Sequence, residues 1–326
     1  MRLITKRLSL AATLAVACVL AVPAASAADA YPSKPVRIVV PYAPGGGADL
    51  LARAIGQMLG TMWKQPVIVE NRPGAGGSLG TENVARSQPD GYSLLMASPG
   101  HTINPALYHN LSFDAVKDFR AIGMVASGPL VLVVNPANPA NTMKEFIDQA
   151  RAKPGAVNYA SAGIGSSPHL AGELLKMMAG IDLVHVPYKG TSPALTDLLG
   201  GQVQAMFAPV PTVIEYVKAG KLKALAVTSP TPFPAMPTVP PVAATVPHYE
   251  VLQWWGLVTP AGTPPAVIEK INHDVATVLR DPTMRQRLDV MGAEPGGQAP
   301  AQLDTLIADE IVKWNDVVKT ANIQAQ

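Results

Sequence analysis

The chain has one cysteine in 326 residues, Cys18, and it lies inside an apolar leader. The part that follows the leader therefore has no thiol, no disulfide and no cysteine-built metal site, and must be held together by ordinary packing. Histidine-based metal chemistry has little support either, since the six histidines are scattered and no HExxH occurs. No metal and no cofactor is expected. Apolar runs long enough to cross a membrane are also missing. The leader stretch is short, and no later run reaches the roughly 18 uninterrupted apolar residues that a spanning helix needs.

The leader spans residues 1–27. It has basic residues at Arg2, Lys6 and Arg7, an apolar stretch from Leu8 to Val22, and a small-x-small site at Ala25-Ser26-Ala27. This is the pattern of a secretory signal cleaved after Ala27, which places the mature chain in the periplasm. The residues around Cys18 resemble a lipoprotein site only weakly, and the better site at Ala27 argues against lipidation. Of 25 basic and 23 acidic residues, the leader removes three basic and no acidic ones, leaving 22 against 23. A chain so nearly balanced gives no reason to expect a nucleic-acid partner.

What is present is a strand, a glycine loop and a helix, repeated. Val36, Ile38, Val39 and Val40 read as a buried strand, Pro41 to Gly47 as a loop, and Leu50, Leu51, Ile55, Met58 and Leu59 as the apolar face of a helix. Such a loop aims backbone N–H groups and the positive end of a helix at one spot, a ready anion site. A nucleotide is excluded there. The loop has neither GxGxxG spacing nor a Lys-Ser/Thr after its glycines, and Asp49 places a negative charge where a phosphate would arrive. A plain tight turn with Asp49 as a helix cap is the structural alternative.

Further strands are read at Val67–Glu70 and Tyr92–Ala97, with a second glycine loop, NRPGAGGSLG, at 71–80 and a helix from Ser78 towards Ser87. The alternation predicts α/β layers with mostly parallel sheets, and ligands gather beyond the carboxyl ends of such strands. The loop at 98–108 carries Ser98, His101 and Asn104; a lone histidine is more often structural than functional. RAIGMVASGP at 120–129 reads as a passage to a second lobe, followed by a strand at 130–136. There the opening device recurs: a strand from Val157 to Ala160, a turn through Gly163 and Gly165, and a helix. Ser167 suits the cap and Pro168 the first turn. Ser161, Ser166 and His169 add side chains beyond what capping requires. Tyr188, Lys189 and Thr191 follow the strand at 183–186. Trp254 and Trp255 either line a cleft or fill a core. Helices over Pro265–Arg280 and from Pro300 to about Thr320 complete the chain.

The segments YPSKPVRIVVPYAPGGGAD, VENRPGAGGSLG, SAGIGSSPHLAGELL, VPYKGTSPAL, GKLKALAVTS and GLVTPAGTP, in that order, resemble the Bug-type periplasmic solute-binding receptors of tripartite tricarboxylate transporters. The resemblance implies a two-lobed α/β periplasmic binding protein fold of type II-like topology, with crossing strands between the lobes. It assigns residues 28–125 with 252–326 to lobe 1 and 126–251 to lobe 2. It implies a ligand that is a small organic dicarboxylate, tricarboxylate or aromatic carboxylate, membrane transporter subunits as partners, and a monomer. Carried over by position, Tyr42, Gly45, Gly46 and Asp49 form the first jaw, with Ser98, His101 and Asn104 on the same rim. Ser161, Gly165, Ser166, Ser167 and His169 form the second, and Tyr188, Lys189 and Thr191 border the cleft. Asp49 is expected to fix its loop. Gln204 stands where the family often has an acidic residue, so a lobe contact or the distal pocket is expected to differ. Two rivals remain, a secreted serine hydrolase and a receptor that reports to a membrane sensor. The first is disfavoured because Gly163-Ile-Gly165-Ser166-Ser167 is not GxSxG.

Overall fold

The computed structural model describes residues 31–108, 110–320, 323 and 324. The leader at 1–27, with Cys18, lies outside the described residues. From Val36 onward, strands and helices alternate as β1 (Val36–Val40), α1 (Gly47–Trp63), β2 (Val67–Asn71), α2 (Ser78–Ala85), β3 (Ser93–Ala97) and α3 (Gly100–Leu107). Next come β4 (Phe119–Val134), α4 (Met143–Ala152), β5 (Asn158–Ser161), α5 (Ser167–Ala179), β6 (Val184–Pro187), α6 (Thr191–Leu199) and β7 (Ala205–Pro209). The chain continues through α7 (Val210–Lys218), β8 (Lys223–Val227), β9 (Leu252–Pro260), α8 (Pro265–Arg280), α9 (Pro282–Met291), β10 (Glu294–Pro295) and α10 (Pro300–Thr320).

Two parallel sets of strands flank an antiparallel pair. Ile38 of β1 lies opposite Val69 of β2 and Leu94 of β3, while Ala160 of β5 lies opposite Val186 of β6 and Met206 of β7. Between the sets run β4 and β9. They pair antiparallel from Phe119–Pro260 to Pro129–Leu252, and β4 then continues as Leu130–Val134 against β7 and β8. The parallel pattern expected from the alternation thus holds in the outer strands only. A chain that crosses on β4 and returns on β9 has to run back against itself, so the sheets are mixed.

The segment read as a passage at 120–129 and the strand read at 130–136 are one element of 16 residues. Register shifts between Ala121 and Gly123 and between Met124 and Ala126 absorb its glycines without ending the pairing. Helix α9 was not anticipated from the sequence.

Burial follows the strand period. Leu130, Leu132 and Val134 pack with Phe146, Tyr159, Leu175 and Phe207, whereas Val131 and Val133 pack on the opposite face with Leu198, Met206 and Val213. A strand buried on both faces needs apolar residues at every position, which explains the continuous run LVLVV. The first set has its own core around Val39, Leu95, Phe119, Trp254 and Val258. Helix α10 touches both: Leu303 and Ile307 belong to this core, Trp314 and Val318 to the one around Tyr159.

Candidate functional site

Five parallel strands deliver their carboxyl ends to one place. Tyr42 and Gly46 follow β1, Ser98 follows β3, Ala162 and Ser166 follow β5, Thr191 follows β6, and Pro209 ends β7. These residues, with Gly47, Ala48, Asp49, Ser167 and Pro168, and with Gln253 and Trp255 from β9, enclose a cavity of about 30 Å³. Four helices begin at its wall: α1 at Gly47, α5 at Ser167, α6 at Thr191 and α7 at Val210. The first N–H groups of a helix have no partner within the helix and carry its positive end. Four such ends border one cavity that has no Lys or Arg in its lining.

Asp49 is the single charged residue of that lining, and its charge is already spent. Oδ2 accepts from the Gly45 N–H at 2.9 Å and from Arg53 Nε at 3.0 Å, while Oδ1 lies 2.9 Å from Arg53 Nη2 and 2.9 Å from Asn71 Nδ2. Burial pushes the carboxyl up, but the donors of Arg53, Gly45 and Asn71 outweigh it and hold it below the ordinary Asp range. Asn71 also donates to the Tyr42 carbonyl at 3.1 Å, so this carboxylate shapes the whole loop from 42 to 46. It caps no helix N–H by side chain.

The hydroxyls divide by how firmly they are held. Ser98 Oγ donates to Tyr42 Oη at 3.4 Å, and Tyr42 Oη to the Gly76 carbonyl at 3.3 Å. Both bonds are long. Desolvation pushes the Tyr42 phenol up, so it stays a neutral donor. Ser166 occupies the N-cap of α5, the place the sequence suggested for Ser167, yet its hydroxyl donates to the Gly163 carbonyl at 2.6 Å and not into the helix. Ser167 instead reaches across to Gln253 Oε1 on β9. That bond ties the α5 N-terminus to a crossing strand.

Several residues singled out from the sequence lie elsewhere. His101 is buried among Phe113 and Phe119, its Nε2 2.8 Å from the Ala115 carbonyl; desolvation pushes its pKa down to about 4. It belongs to the core because α3 turns that face inward. Asn104 Nδ2 donates to the Gly76 carbonyl at 3.1 Å and Ser78 Oγ at 3.0 Å, bracing the second glycine loop. Gly45 serves the cavity only through its N–H to Asp49. Ser161, Gly165 and His169 lie behind the turn that carries Ser166. Tyr188 donates to Asp197 at 2.6 Å, and Tyr188 and Lys189 line an open groove with Tyr108 and Ile164. Gln204 does not approach the cavity: it exchanges two 2.9 Å bonds with Asn158 at the start of β5.

Gln253 was not assigned to the site beforehand, and of the two tryptophans read as lining a cleft or filling a core, Trp255 lines the cavity; the alternation of β9 puts Gln253 and Trp255 on the face opposite Trp254. Trp254 lies in the core, its Nε1 donating to Glu310 at 2.8 Å. Trp255 closes the cavity beside Gly47.

Residues 51–323 match the family model described as tripartite tricarboxylate transporter family receptor. The chain belongs to that family. Among relatives, this receptor is 37% identical over 297 residues to protein BugT of Bordetella pertussis, covering 90% of each chain. Its fold is similar to the solved structure of periplasmic binding protein BugD, with a TM-score of 0.87 and 35% identity, over 91% of this chain and 100% of that one. It is likewise similar to an R. palustris protein with adipate, at TM-score 0.87 and 34% identity over 90% and 99% of the two chains. A third similar structure is MatC from Rhodopseudomonas palustris with bound malate, at TM-score 0.85 and 33% identity over 88% and 100%. The α/β periplasmic binding protein fold read from the sequence is therefore the fold of this receptor, and its family is one of solute-binding receptors whose members are periplasmic.

Proposed function

We propose that this receptor closes two lobes on a small organic carboxylate and hands it to the membrane subunits of its transporter. The observation that carries this reading is the convergence of four helix N-termini on a cavity with no cationic side chain. Such a wall neutralises a carboxylate by backbone N–H groups and loosely held hydroxyls, of which Ser98 and Thr191 stand ready. Similar structures hold adipate and malate, which supports a dicarboxylate here; Trp255, Pro168 and Pro209 would equally face an aromatic carboxylate. The lobes are 28–125 with 252–326 and 126–251, hinged where β4 and β9 cross and strapped by α10. At about 30 Å³ the cavity has room for only a few water molecules. A dicarboxylate enters only when the lobes part.

Catalysis has no part in this reading. The one Ser–His contact near the site among the described residues, Ser161 Oγ to His185 Nε2 at 2.6 Å, involves a fully buried serine and an imidazole pushed by burial to about 3, a poor general base. The receptor acts as a monomer in the periplasm after cleavage behind Ala27. A panel of succinate, malate, adipate, citrate and benzoate tests the reading by thermal unfolding. A ligand at about 100 times its Kd stabilises the folded state by about 2.7 kcal/mol, so at least one acid should raise Tm by several degrees. No shift with any of them would remove the clamp.

A further inference from the structure

Behind the turn that carries Ser166, two imidazoles are stacked with centroids 4.2 Å apart, those of His169 on α5 and His185 on β6. Tyr159 stacks on the other face of His185 at 5.0 Å. Each histidine grips a different point of the same turn. His185 Nε2 lies 2.6 Å from Ser161 Oγ, and that hydroxyl oxygen accepts from the Gly163 N–H at 3.0 Å. His169 Nδ1 accepts from the Gly165 N–H at 3.3 Å. The Gly163 carbonyl in turn receives Ser166 Oγ at 2.6 Å and the Ser166 N–H at 3.1 Å. A continuous line of hydrogen bonds thus runs from the imidazole pair to the cavity wall.

The neighbouring carboxylate leaves the pair to this task. Glu173 Oε1 receives the Tyr159 hydroxyl at 2.7 Å and Lys176 Nζ at 3.0 Å, and Oε2 lies 3.0 Å from the same Nζ, so both oxygens have partners other than the imidazoles. The Gly165 N–H also fixes a tautomer. It needs a lone pair on His169 Nδ1, so the ring proton sits on Nε2.

We propose that His169 and His185 are positioning residues for the cavity: as neutral rings they lock the turn 161–166, and with it Ser166 and the N-terminus of α5. The consequence for ligands rests on the carboxylate-clamp reading, whereas the locking itself does not. It also gives a role to two histidines that are not in the lining of the cavity at Trp255.

The test reads the turn in ligand-free receptor. Nitrogen NMR of the wild type should show His169 with Nδ1 unprotonated at neutral pH; an Nδ1–H tautomer would overturn the proposal without any variant. Amide exchange at Gly165 and Ser166 should quicken about tenfold in His169→Ala, the effect of losing one hydrogen bond, while β1 and β9 amides keep their rates. His169→Asn carries Oδ1 where Nδ1 was and should restore slow exchange, and His185→Gln should do the same relative to His185→Ala. Unchanged exchange in the alanine variants, or Asn and Ala variants exchanging alike, would overturn it. Adding adipate to the same set reads the clamp separately, since the exchange result stands whether or not adipate raises Tm.

Discussion

The backbone N–H of Ala43 donates to the carbonyl of Lys189 at 3.0 Å, joining the loop after β1 to the loop after β6 main chain to main chain. No side chain intervenes because the next residue is Gly190, where a Cβ would lie 2.8 Å from Ala43 N. Gly190→Ala should hold the two loops apart and weaken carboxylate binding by about tenfold or more, the loss of the bond between the loops and the packing around it. Gly201, with φ +72 and nothing within 4 Å of a Cβ, supplies the control. Gly201→Ala carries backbone strain without the contact, so calorimetric Kd values should change at 190 and stay at 201.

The two glycines at the start of α1 should respond differently. A Cβ on Gly46 meets Thr191 at 3.6 Å and the Ala43 carbonyl at 3.8 Å, ordinary contact, whereas one on Gly47 lies 2.7 Å from the Trp255 ring. Gly46→Ala is expected to bind, and Gly47→Ala to lose the ligand-dependent rise in Tm while unfolding cooperatively. Tryptophan fluorescence checks the cause, since only the second variant should displace Trp255.

Asp49→Asn should destabilise without improving anion affinity. The change removes the charge that holds Arg53 and sets an amide NH2 against donors at one of the two oxygen positions, for an expected loss of about 1.5–3 kcal/mol from charge-assisted bonds. A urea midpoint measures it. If removing the negative charge instead tightened carboxylate binding, Asp49 would be facing the ligand and not holding the loop.

Acid should loosen the fold well above the range in which carboxylates titrate. His101 and His169 are held by burial at about 4 and His185 at about 3, against 6.5 for an exposed histidine. The unfolded chain therefore binds more protons between these values, so stability is fully present above pH 6.5 and falls as pH drops towards 4. Between pH 7 and 5 each buried ring costs at most about 2 kcal/mol. His101→Phe removes one such proton at a residue outside the cavity lining, and should flatten the fall in urea midpoint with pH without changing ligand affinity at neutral pH.

Much of this was legible in the sequence because strand, loop and helix periods are local. The units around Val36–Leu59 and Val157–Ala179 could be read residue by residue, and Tyr42, Gly46, Asp49, Ser98, Ser166, Ser167 and Thr191 do reach one cavity. What escaped depends on facing. His101 and Ser98 are three residues apart, but only α3's rotation decides that one turns to the core and the other to the cavity. Gln253 and Trp255 joined the wall, and Trp254 did not, through the alternation of a strand whose inward side is set by β4. Pro209 carried no chemical signal and matters by position alone.

A crystal structure of the receptor with a stabilising acid tests the central claim most directly. The account predicts a carboxylate among the first N–H groups of α1, α5 and α6, within hydrogen-bond distance of Ser98 or Thr191, and no lysine or arginine on that carboxylate. An acid bound instead in the open groove beside Tyr108, Ile164 and Lys189, with the cavity at Trp255 unchanged, would contradict it.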